Sequence, residues 1–155
     1  MASVRERIAM TDAEVRRFLD EELTVACATL GPTGRPHLMP LWYVREGAGL
    51  VTWTYGKSQK VRNLERRPQA SLLVEAGTRY DELRGVMLEC DVEIVRDPAR
   101  VAAVGEALAR RYYAPGPELP DEVRVGIAKQ AAKRVVLRFS PTRVISWDHR
   151  KLGDA

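Results

Sequence analysis

Hydrophobic and polar positions change rhythm along the chain, and each change marks an element. Residues 11–14, TDAE, form a capping box with Thr11 as N-cap, and Val15, Phe18 and Leu19 follow on one helical face, predicting a short helix to about Asp20. LTVACATL (23–30) reads as a strand, GPTGRP (31–36) as a turn and HLMPLWYVRE (37–46) as the returning strand. Pro40 removes a ladder donor, so that strand is expected at an edge or interrupted there. After GAG (47–49), LVTWTY is a third strand, broken by Gly56. Ser58 can then cap a helix to about Arg67, which Pro68 stops.

QASLLVEA (69–76) is a fourth strand, and LRGVMLECDVEIV (83–95) alternates with Val86, Leu88, Cys90, Val92 and Ile94 on one face. PARVAAVGEALARRYY (98–113) predicts a helix with proline in its first turn. The loop APGPELP leads to a helix over roughly 121–132. Two last strands, RVVLRFS (134–140) and TRVISWD (142–148), are linked at Pro141. Six or seven strands joined mostly by short turns imply an antiparallel sheet, a closed barrel with helices attached and an α+β class. Residues 1–155 read as one domain, with 1–10 expected to be flexible.

Composition narrows the function classes. Hydrophobic residues make up 45% and charged residues 30%, ordinary for a globular chain without a membrane span. The N-terminus is charged and lacks the apolar core of a signal peptide, so the expected location is cytoplasmic. Cys27 and Cys90 stand in apolar stretches far from His37 and His149. No metal site is expected, and both cysteines read as small core residues. No nucleophile elbow, Walker A loop or dinucleotide fingerprint is present, so catalysis, if any, belongs to a bound cofactor.

Net charge is +4, which admits an anionic partner. The charge concentrates in WTYGKSQKVRNLERRP (53–68), where a strand, a glycine and a serine-capped helix aim free backbone N–H groups at whatever precedes the helix. Lys57, Ser58 and Lys60 read there as a phosphate seat, with a solvated helix face as the alternative. Arg62, Arg66 and Arg67 read as solvated surface, and Val61 and Leu64 as inward-facing. Aromatics are only 6%, too few for a base-stacking surface, so no nucleic acid partner is expected.

The succession ATLGPTGRPHLMPLWY, LVTWTYGKSQKVRNLERRPQASLLVE, LRGVMLECDVEIV and SWDHRKL resembles the pyridoxamine 5′-phosphate oxidase-like, flavin-binding split-barrel superfamily. Within it, the chain is most similar to the actinobacterial deazaflavin (F420)-dependent oxidoreductases. The resemblance implies a six-stranded antiparallel split barrel and a homodimer with cofactor grooves at the subunit interface. It implies a cofactor phosphate on Lys57, Ser58 and Lys60 with Asn63 nearby, and a ring along Met39, Pro40, Leu41 and Trp42. Thr54 and Tyr55 would line the groove, while Trp147, Arg150 and Lys151 would close it, from the same or the other subunit. Tyr55 and Tyr80 are the candidate proton donors for hydride transfer between F420 and a small electrophile such as a quinone, an enone or a tetrapyrrole-like compound. FMN is the alternative cofactor, and a non-catalytic flavin or F420 carrier the alternative role. Gln59 stands where pyridoxine-oxidase members carry arginine, which argues against their substrate. An acidic F420 tail would need further positive charge, for which Arg5, Arg7, Arg16 and Arg17 are available.

Overall fold

The structure, a computed structural model, describes residues 1–153. Two short helices, α1 (Val4–Ile8) and α2 (Asp12–Glu21), open the chain, each begun by a capping box, Ser3 with Glu6 and Thr11 with Glu14. Strands β1 (Val25–Leu30), β2 (Pro36–Leu41), β3 (Val44–Glu46) and β4 (Gly49–Tyr55) follow, then helix α3 (Gln59–Arg66). Strands β5 (Gln69–Ala76) and β6 (Arg84–Val95), helices α4 (Pro98–Tyr112) and α5 (Asp121–Ala131), and the long strand β7 (Arg134–Asp148) complete the domain.

Seven strands form one antiparallel sheet in the order β2-β1-β5-β6-β7-β4-β3. It wraps around a single core: Val25, Cys27, Leu72, Val74 and Leu88 from one half meet Leu50, Val135, Leu137 and Phe139 from the other. Phe18 and Leu19 of α2 and Val61 and Leu64 of α3 plug this interior. Helix α4 covers the outside of β4 and β7, burying Val101, Val104 and Leu108 against Val51 and Val136. Helix α5 packs on it through Ile127 and Ala109.

Four expectations of the fold are corrected. The run 37–46 is two strands rather than one, because Trp42 and Tyr43 turn the chain between β2 and β3. The strands expected on either side of Pro141 are one strand, β7. Its ladder with β6 is irregular there, Glu89 facing Arg143 and Cys90 facing Pro141. The count is therefore seven rather than the family's six, and the barrel is not closed, since the edge strands β2 and β3 do not pair with each other. Residues 4–8, within the stretch expected to be flexible, form α1.

Candidate functional site

The gap between the two sheet edges is the first feature of the site. β3 covers β4 only over Gly49–Val51, so Thr52–Tyr55 carry no strand on that side. β2 pairs with β1 alone, leaving its other side free. Between these edges lies a groove of about 520 Å³ lined by Pro40, Leu41, Trp42, Thr52, Thr54 and Arg134, among others. Thr52 Oγ1 donates to the Trp42 carbonyl at 2.5 Å and pins one end. The half-exposed Trp42 ring stacks on Tyr112, centroids 4.5 Å apart and planes 11° from parallel.

At the other end β4 runs into α3. Gly56 N–H donates to Lys133 O at 3.0 Å, and Ser58 N–H to Tyr55 O at 3.0 Å, which fixes the turn. Ser58 is the N-cap of α3, but its side chain makes no capping bond, contrary to the expected role. Its Oγ is buried and has no hydrogen-bond partner among the described residues, a rare and costly state for a hydroxyl in a folded protein. Lys57 beside it is exposed and forms no hydrogen bond or ion pair among the described residues.

Lys60 turns inward. It is only 8% exposed, and its Nζ donates to Thr54 Oγ1 at 2.9 Å. Burial holds its pKa below the ordinary lysine value; the neighbouring Cys27 opposes that shift, and the charge of Arg134 adds to it. A buried ammonium with three N–H groups and one protein acceptor retains donors for a ligand. Asn63, also buried, donates through Nδ2 to Thr29 Oγ1 at 3.0 Å and accepts at Oδ1 from Gln59 and Arg66. Its bonds tie α3 to β1 and so fix the orientation of that helix. Burial pushes the Cys27 thiol up to about 11 and the Cys90 thiol up to about 12, so both are packing groups at neutral pH.

Of the expected residues, Pro40, Leu41, Trp42 and Thr54 line the groove, while Tyr55, Lys57, Ser58, Lys60 and Asn63 lie at the end of β4 and on the turn and helix that follow it, joined to the groove wall by the Lys60–Thr54 bond. Met39 lies on the same edge strand, opposite Cys27 and half exposed. The structure does not bring Trp147, Arg150 and Lys151 there within one chain. These sit at and just beyond the far end of the 15-residue β7, Trp147 lying about 43 Å of extended strand from its start at ~3.3 Å per residue. Trp147 covers Gly85, Arg150 is paired with Asp148 at 2.7 Å, and Lys151 is paired with Glu14 at 2.7 Å. Tyr80 lies at that end too, its ring against His149. Arg5, Arg7, Arg16 and Arg17 are exposed on α1 and α2. Helix α1 packs against the last turn of the chain rather than at the groove.

Sequence reading missed Arg134. It faces Tyr55 across the β4–β7 ladder, with its guanidinium over the rings of Tyr55 and Trp53. Only the sheet register reveals that neighbourhood, because nothing in KRVVL marks its first arginine as different from any other basic residue at a strand start.

A family model described as pyridoxamine 5′-phosphate oxidase matches residues 11–148. A conserved hypothetical protein of Mycobacterium tuberculosis is 40% identical in sequence, with a TM-score of 0.89 over 98% of this chain and 93% of that one. An F420 reductase is 28% identical, with a TM-score of 0.64 over 83% of this chain and 94% of that one. The heme storage protein HutZ of Vibrio cholerae shares the fold at 20% identity and a TM-score of 0.66, over 86% of this chain and 93% of that one. No curated protein matches the chain.

Proposed function

The chain belongs to the pyridoxamine 5′-phosphate oxidase family, and on that footing we propose that it is an F420-dependent oxidoreductase. Its reaction passes a hydride between the deazaflavin and a small electrophile of the quinone, enone or tetrapyrrole-like class. The observation that carries this reading is the buried, unpartnered Ser58 Oγ, set between the unpaired Lys57 and the buried ammonium of Lys60 at the end of an open groove. Those donors fit a phosphate, and the flat wall of Pro40, Leu41 and Trp42 fits an aromatic ring system. The similarity to an F420 reductase supports the deazaflavin over FMN.

The chain contributes binding, orientation and exclusion of water. Lys57 and Ser58 would hold the phosphate, and Lys60, bonded to Thr54, would set the depth to which it enters. The cofactor, when bound, supplies the hydride. The half-exposed Tyr55 hydroxyl, beside the seat, is the nearer candidate to hand a proton to the reduced substrate; Tyr80 could do so only from a second subunit. A homodimer through the sheet's outer face would supply that subunit. No helix among the described residues is long and apolar enough to cross a membrane, which accords with a cytoplasmic location.

Fluorescence titration with F420 and, separately, FMN tests the reading on wild type and on Lys57→Ala/Lys60→Ala. The expected outcome is micromolar or tighter F420 binding that the double variant weakens at least tenfold, followed by oxidation of reduced F420 when a quinone is added. Binding of FMN alone would replace the cofactor assignment. Binding of neither would remove the function.

A further inference from the structure

Arg134 opens β7, and its guanidinium lies 4.2 Å from the Tyr55 ring centroid and 4.7 Å from that of Trp53. Two aromatic rings against one guanidinium fix its plane and therefore the direction of its donors. Those donors are poorly used. Nε and one Nη reach only Gln130 Oε1, at 3.4 and 3.3 Å. Among the described residues Arg134 forms no ion pair, although arginines elsewhere on the sheet, such as Arg84, Arg138 and Arg143, all do.

The surroundings are basic in the same unpaired way. Gly56 N–H donates to Lys133 O, so the turn carrying Lys57 lies against the turn carrying Lys133. Neither lysine, nor Lys60 beneath them, has a carboxylate partner among the described residues. The charge of Arg134 is felt at Lys60, where it adds to the effect of burial. Several cations drawn together without an acid repel one another, and the arrangement becomes favourable when an anion arrives.

We infer that Arg134, flanked by Lys57 and Lys133, receives a second anionic group of the ligand, distinct from the phosphate seated at Ser58. This rests on the function proposed above and sharpens it: the groove selects cofactors that continue past their first phosphate. The second group is a carboxylate of an acidic tail or a second phosphate, both of which a planar guanidinium takes through paired donors. Arg134 is then the residue that separates a tailed deazaflavin or a dinucleotide from FMN. The N-terminal arginines Arg5, Arg7, Arg16 and Arg17 do not line the groove.

The test uses two matched pairs of fluorescent ligands: F420 with its glutamate tail against the same deazaflavin ending at its first phosphate, and FAD against FMN. Each is titrated into wild type, Arg134→Gln and Arg134→Lys at low and high salt. Circular dichroism melts establish that the variants are folded. Wild type is expected to bind the longer member of at least one pair about tenfold more tightly than the shorter. Arg134→Gln should abolish that preference and flatten its salt dependence, costing the longer member at least fivefold more affinity than the shorter, and Arg134→Lys should restore part of it. The first pair identifies a carboxylate as the second group, the second pair a phosphate. Equal affinity for long and short ligands in wild type, or a preference that survives Arg134→Gln, overturns the inference and leaves the cofactor reading standing. No binding of any of the four overturns both.

Discussion

At the scale of single residues, Ser58 and Lys60 are groups whose burial is unfavourable in the free protein, and the proposed function would give both a ligand to bond. A buried hydroxyl without a partner destabilises the fold by about 1–3 kcal/mol. Ser58→Ala should therefore leave the melting temperature of the free protein unchanged or raise it, while reducing the stabilisation that F420 confers. Melts with and without cofactor decide this, and a variant less stable when free would show that Ser58 is bonded within the fold after all. Lys60 has a pH signature. Its folded pKa lies below the ordinary 10.5, first because of burial, so the folded state binds its proton less well than the unfolded chain does. The penalty is present in full at neutral pH. It fades as pH climbs from the lowered folded value toward 10.5. Lys60→Met, which keeps the length and drops the charge, should be more stable than wild type at pH 7, and the difference should shrink in urea titrations run at rising alkaline pH. A constant difference would mean that the ammonium is well solvated.

At the scale of elements, the wall of the groove is held by a knot that no local sequence pattern announces. Arg111 of α4 donates to the carbonyls of Leu19, Asp20 and Glu22 at the C-terminal end of α2, and to the carbonyl of Tyr43. The fully buried Tyr43 donates its hydroxyl back to that helix end, where it lies near the carbonyls of Leu19 and Glu22, and burial pushes its pKa up to about 12. Tyr112 bonds the Tyr43 backbone and stacks on Trp42. These contacts satisfy helix-end carbonyls that otherwise lack partners, and they hold the turn that separates β2 from β3. Arg111→Met should lower stability by roughly 3 kcal/mol or more, since several charged hydrogen bonds leave with it. It should also loosen the Trp42 stack, readable as a change in tryptophan fluorescence before unfolding; a loss under 1 kcal/mol would show the knot to be solvated. The knot also explains what sequence could and could not reveal. Helices α2 to α5 and strands β1, β4, β5 and β6 follow from caps, prolines and alternation. The break at Trp42 and Tyr43 does not, because it is imposed by α4 residues distant in the chain. Pro141 misleads in the opposite sense: it suggests a strand end, yet β7 absorbs it as an irregularity in the ladder to β6. The turn into α3 was legible as strand, glycine and serine. Its missing cap bond and the inward turn of Lys60 needed the packing of α3 against Thr54 and Thr29.

At the scale of the whole molecule, the sheet leaves one apolar row uncovered on its outer face, away from α4. Register places Pro40, Ala26, Leu73, Met87 and Ile145 in one row across β2, β1, β5, β6 and β7; the row beside it starts with Leu38 and Ala28 and turns polar at Ser71, Glu89 and Arg143. Leu38 is 64% exposed and Leu73 37% exposed, on strands whose other face is core. Apolar rows of this kind are usually covered. A second copy meeting this face about a two-fold axis would bury the same row twice. Such a pairing would also give Trp147, Arg150, Lys151 and Tyr80, stranded at the far end of β7, a groove to serve, the one belonging to the other chain. Wild type is accordingly expected to sediment as a dimer, and Leu73→Glu, which places a charge in the centre of the row, as a folded monomer. The variant should lose F420 affinity by tenfold or more although Leu73 touches neither groove nor seat, because half of the site would have left with the partner. A monomeric variant that binds F420 as tightly as wild type would mean that the groove of one chain is sufficient, and that residues 147–152 serve only to anchor α1 and α2.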